Sequence, residues 1–130
     1  MHLQVRCNPK LSPPDVEKFL DRLAKAKVNL GGAGGSNAEF GGEFAVALED
    51  NDLKKATDAL DQHPKYEYRV LEAGVDPGLT LCWAKNQSGS LLRDCIAGVA
   101  EKNRKSGRKI RDILIGVEHP EGIPVQVYSE

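Results

Sequence analysis

Leu3, Val5 and Cys7 alternate with polar residues, and this period of two predicts a half-buried first strand. Asn8-Pro9-Lys10-Leu11 breaks the ladder. Ser12-Pro13-Pro14-Asp15 then reads as a helix start: Ser12 is placed to cap, Pro13 suits a first turn, and Asp15 sits where a capping-box acid reaches back. Val16, Phe19, Leu20, Leu23 and Ala24 recur at helical spacing and predict one apolar stripe running to about Ala26. Val28-Asn29-Leu30 can begin a second strand, but it runs into Gly31, Gly32, Gly34 and Gly35. Phe44, Val46 and Leu48 alternate as a third strand. Asn51 or Asp52 can cap a short helix carrying Leu53, Ala56 and Leu60, stopped by His63-Pro64. Tyr66, Tyr68 and Val70 form a fourth strand that ends at Ala73-Gly74. The order is β-α-β-β-α-β.

Asp76-Pro77-Gly78 is a turn rather than a long linker. Leu79, Leu81 and Trp83 predict a fifth strand, and Asn86-Gln87-Ser88-Gly89 a polar loop. A helix follows with Leu91, Leu92, Cys95, Ile96, Val99 and Ala100 on one side, closing near Ser106-Gly107. Ile110 to Val117 and Ile123 to Tyr128 are β-rich runs around a hairpin at His119-Pro120-Glu121-Gly122. The second half reads β-α-β-β, the first unit repeated at a spacing of about seventy residues without its last helix and strand. The expected architecture is α+β: two ferredoxin-like units in tandem, residues 1–74 and 75–130, with helices on one face of antiparallel sheets.

Composition narrows the function classes. The 130 residues are 40% hydrophobic and 28% charged, an ordinary globular balance that excludes wholesale disorder. A net charge of −1 gives no default toward nucleic acid or an anionic membrane surface. No apolar run approaches the ~20 residues that span a bilayer, and no signal-peptide core is visible. Cys7, Cys82 and Cys95 make an odd count without a CxxC, which favours reduced thiols in a cytoplasmic setting.

The element order, with a small-residue loop between a strand and a helix, resembles the ACT domain, and the resemblance is best at Trp83-Ala84-Lys85-Asn86-Gln87-Ser88-Gly89-Ser90-Leu91-Leu92. Gly89 falls on the family glycine, and Leu91 and Leu92 on inward helix positions. Asn86 stands where the family usually has an acid, and Ser88 where proline is frequent. Arg108 to Ile115 looks like the strand that follows the helix. The resemblance implies a ferredoxin-like fold, often in tandem, in regulatory proteins that commonly bind amino acids or similar small effectors.

Candidate chemistry follows from both readings. The loop Asn86, Gln87, Ser88, Gly89, Ser90, Leu91 leads into a helix N-terminus, where unpaired N–H groups favour an anionic group such as a carboxylate. The blander alternative is that Ser88 or Ser90 caps the helix and Gly89 makes the turn. Six glycines fall between Gly31 and Gly42 without matching a phosphate-binding motif, as a mobile loop, a bulged strand or a surface for close approach. Lys102, Arg104, Lys105, Arg108, Lys109 and Arg111 could touch nucleic acid, or form a solvated corner at a helix C-terminus. His2, His63 and His119 are widely separated, no metal spacing exists, and lone carboxylates such as Glu43 and Asp112 read as surface groups. Trp83 reads as a core or interface aromatic. No nucleophile–base pair is visible, so neither catalysis nor a cofactor is implied. The expected function is a non-enzymatic regulatory module that binds a small effector at this loop and a dimer or unit interface. It would form a homodimer and regulate a partner supplied in trans. An interaction adaptor without ligand and, more weakly, a nucleic-acid-binding domain are the alternatives.

Overall fold

A computed structural model describes residues 3–8, 13–35, 43–62 and 67–130. The Ser12 cap, the His63-Pro64 stop, Tyr66, and the glycine-rich stretch beyond Gly35 lie outside the described residues. The chain divides into two compact units, Met1–Leu71 and Glu72–Glu130.

The first unit contains β1 (Leu3–Asn8), α1 (Pro13–Lys25), β2 (Gly32–Gly35), β3 (Phe44–Leu48), α2 (Leu53–Asp61) and β4 (Glu67–Glu72). Its sheet order is β2-β3-β1-β4, the ferredoxin-like arrangement in which each helix crosses back over the sheet. β1 and β3 are antiparallel, with Val5 opposite Val46 and Leu3 opposite Leu48. Paired residues share a face, so these four side chains point together toward the helices. Phe19 and Leu23 of α1 and Ala56 and Leu60 of α2 join them in one buried cluster with Cys7. Phe19 sets its ring edge against Phe44, centroids 5.8 Å apart. Ala24, placed on the apolar stripe by spacing, is exposed.

The second strand starts later than expected, and the end of α1 explains why. Lys27 takes a left-handed conformation at φ 59°. Its N–H donates to Ala24 O at 3.0 Å, and the Val28 N–H donates to Leu23 O at 3.0 Å. This is a Schellman closure with buried Val28 as its apolar plug. Val28 therefore ends the helix, and the strand is made by the glycines themselves: Gly32 pairs with Ala47 and Gly35 with Phe44.

The second unit contains β5 (Leu79–Ala84), α3 (Gly89–Ser106), β6 (Ile110–Ile115) and β7 (Ile123–Ser129). Its sheet order is β5-β7-β6, and both pairings are antiparallel. That matches β1-β3-β2 of the first unit. α3 packs on β5 and β7 over Val99, Val125 and Val127. Its end is another Schellman closure, with Gly107 at φ 77° and the Arg108 N–H donating to Asn103 O at 2.9 Å. The expected hairpin closes through reciprocal His119–Gly122 backbone bonds of 2.9 and 2.8 Å. Cys82 and Cys95 are not separate thiols: they form a disulfide from β5 to α3, with Cα atoms 6.2 Å apart. Cysteine arithmetic alone could not see this pairing. Cys7 remains a free, buried thiol.

Candidate functional site

β5 ends at Ala84, and its continuation into α3 carries all six candidate residues. The Asn86 side chain accepts from the Ser88 N–H at 2.8 Å through Oδ1, an Asx turn that shapes the loop. Ser88 occupies the N-cap position with φ −58° and ψ 132°, but its side chain makes no capping hydrogen bond. Its hydroxyl lies 2.8 Å from the Ser90 hydroxyl instead. The first α-helical bond runs from the Leu92 N–H to Ser88 O at 3.0 Å. Asn86, Gln87, Ser88, Gly89 and Ser90 are exposed, and Leu91 is half-buried. A Cβ at Gly89 would meet nothing within 4 Å, so this glycine is not demanded by space. The capping alternative therefore fails for Ser88, and the first turn presents amide donors beside two hydroxyls.

A groove of about 570 Å³ lies beside the loop, and of the six candidate residues only Leu91 lines it. Lys85 and Leu91 form part of its wall together with Cys82, Ala84, Cys95 and Val99. Its volume lies within the range of small-molecule sites. Its lining is mostly apolar, with Lys85 and Lys102 as cations and Asp94 as the carboxylate.

Of the other sequence candidates, Trp83 and Lys102 also line this groove. Trp83 is half-buried with its ring centroid 5.3 Å from that of His119. The basic run is divided between the last turns of α3 and the start of β6. Within it, Arg104 pairs with Glu101 at 2.7 Å and Arg111 with Glu130 at 3.4 Å. Among the described residues no group of three or more His, Cys, Asp or Glu could hold a metal ion, and no helix is long and apolar enough to cross a membrane.

Glu43 is a correction. It is buried and accepts from Arg6 Nε at 2.6 Å, while Arg69 reaches its other oxygen at 3.3 Å. Gln4 accepts from Arg6 Nη1 at 2.9 Å. Alternation along β1 assigns Gln4 and Arg6 to a solvent face, so no local pattern announced this buried polar cluster.

No protein-family model matches the chain, and no curated protein matches it in sequence. Solved structures do. The ligand-free regulatory subunit of aspartate kinase from Thermus thermophilus is 15% identical with a TM-score of 0.59, covering 98% of this chain and 82% of that one. The corresponding subunit from Thermus flavus is 12% identical with a TM-score of 0.56, covering 98% and 82%. A protein from Bacteroides thetaiotaomicron is 15% identical with a TM-score of 0.61, covering 99% and 79%. At such identities the likeness is one of fold, and the fold is the α+β, ferredoxin-like architecture that the element order implies.

Proposed function

We propose that this chain is a non-enzymatic, ACT-like regulatory module that binds a small effector, an amino acid first among candidates, at Asn86–Leu91. The observation that carries the reading is the uncapped start of α3, whose first turn sets Leu91 into the wall of the 570 Å³ groove beside Lys85. The first-turn amides and the Lys85 ammonium suit a carboxylate, the Asn86, Ser88 and Ser90 side chains suit a polar head, and the groove suits an apolar side chain. The fold shared with regulatory subunits of aspartate kinase agrees with a role exerted in trans. A homodimer would form along the outer strand β6. On it Ile113 and Ile115 remain 39% and 50% exposed, and Val117 just beyond its end 61%, a large apolar margin for a sheet edge. Effector binding that favours one arrangement of that dimer would shift its equilibrium.

The test is a thermal melt against a panel of the twenty amino acids, run beside a size measurement. One member at a hundredfold excess over its Kd raises stability by about 2.7 kcal/mol. Gly89→Val, whose side chain enters open space in the first turn, removes that shift and leaves the ligand-free melt nearly unchanged. The same exposed β6 margin favours a second reading, an adaptor that recruits a partner strand by β-augmentation. An adaptor ignores the whole panel.

A further inference from the structure

The Cys82–Cys95 bond encloses the candidate loop. Its two ends are 13 residues apart in sequence, and everything from Trp83 to Asp94 lies inside the covalent ring. The first unit shows what the bond replaces. Cys82 lies opposite Val125 as Val5 lies opposite Val46, and Cys95 sits as far into α3 as Phe19 sits into α1. Val5 and Phe19 are both fully buried and hold α1 by packing. In the second unit two small sulfur side chains stand at those places, and the groove runs past them. Where the first unit attaches its helix by apolar volume, the second attaches it by a covalent bond.

We infer that Cys82–Cys95 is a reversible thiol–disulfide clamp on the Asn86–Leu91 loop, an inference that rests on the effector reading of that loop. In the bonded form the first half of α3 and the loop keep one geometry. The thiolate of a dithiol reductant attacks one sulfur and forms a mixed disulfide, while the other cysteine leaves as a thiolate and takes a proton. The reductant's second thiol then displaces the remaining cysteine. Two electrons enter the protein, and the reductant departs as a disulfide. Both cysteines are half-buried and line the groove, so a small thiol has access to them. Cys7 takes no part, because it is buried in the first unit and burial keeps its thiol protonated. A disulfide that solvent reaches is of the labile kind, unlike one sealed in a core.

The experiment uses the intact chain with and without dithiothreitol, followed by native alkylation, intact mass and amide hydrogen exchange. The oxidised chain takes no label. The reduced chain takes two, at Cys82 and Cys95, and the amides of Ser88 and Leu92, which are hydrogen-bonded to Asn86 Oδ1 and Ser88 O in the oxidised form, exchange at least tenfold faster while those of β5 and β7 keep their protection. Cys82→Ala/Cys95→Ala shows the fast loop under both conditions. The clamp is overturned by two free thiols in the oxidised preparation, by a bond that survives the reductant natively, by unchanged loop exchange, or by lost protection throughout β5 and β7. The amino-acid panel separates the two readings. A ligand shift equal in both redox states overturns the clamp and leaves the effector site standing. Faster loop exchange with no ligand shift in either state supports the clamp and removes the effector.

Discussion

Arg6 and Glu43 meet at 2.6 Å through the guanidinium Nε, with side chains only 1% and 9% exposed. A pair so withdrawn from water is a poor source of net stability but costly to break, because the survivor stays charged and buried. Glu43→Met is expected to lower the unfolding free energy by about 3–5 kcal/mol. Arg6→Met combined with Glu43→Met recovers most of that loss. Urea denaturation of the two single variants and the double closes the cycle, and additive losses would show that the two groups are not coupled.

The two Schellman closures differ in one residue. α3 ends on Gly107 at φ 77°, whereas α1 ends on Lys27 at φ 59°, where a side chain is strained. Lys27→Gly is expected to stabilise the first unit by about 1 kcal/mol, and Gly107→Ala to destabilise the second by about the same amount. Melting temperatures of the two variants should move in opposite directions.

Alkaline pH should loosen the first unit. Burial pushes the Cys7 thiol up from 9.0 to about 12. Burial, and then the hydrogen bond to Asp61, push the Tyr68 phenol up from 10.0 to about 12. Both groups are neutral when protonated and hold their protons more tightly folded than unfolded. Their contribution is therefore complete below about pH 9 and is lost as pH rises through 9–12. Stability measured across that range should fall, and the fall should begin later in Cys7→Ala.

Ile115→Lys places a charge in the middle of the exposed β6 margin. It should leave the monomer's unfolding curve within about 0.5 kcal/mol, as a surface change does. If β6 joins two copies, sedimentation should show the variant as monomer at concentrations where the parent is dimeric.

Much of this fold was legible because apolar spacing and backbone periodicity coincide. Leu3, Val5 and Cys7 mark β1, Phe19 and Leu23 mark α1, and Gly107 closes α3 as expected. Apolar spacing places β2 too early because the strand's own residues carry no side-chain pattern, while Val28 serves to end α1. The Cys82–Cys95 pairing depends on which face of β5 meets which turn of α3, a relation that sequence spacing does not encode. The Arg6–Glu43 pair was hidden because alternation separates two faces of a strand without telling whether both are buried. At the candidate site, residue types pointed to the loop, but only geometry could show that Ser88 leaves the helix start uncapped.

β2 forms one margin of the first unit's sheet from Gly32, Ala33, Gly34 and Gly35. Three of these four residues have no side chain to pack against a neighbour, so the strand's alignment on β3 is fixed almost wholly by main-chain bonds. Sliding along β3 would expose or bury little apolar surface. This margin should be the first part of the sheet to peel, and the part most able to accept a different neighbour without disturbing the core behind it.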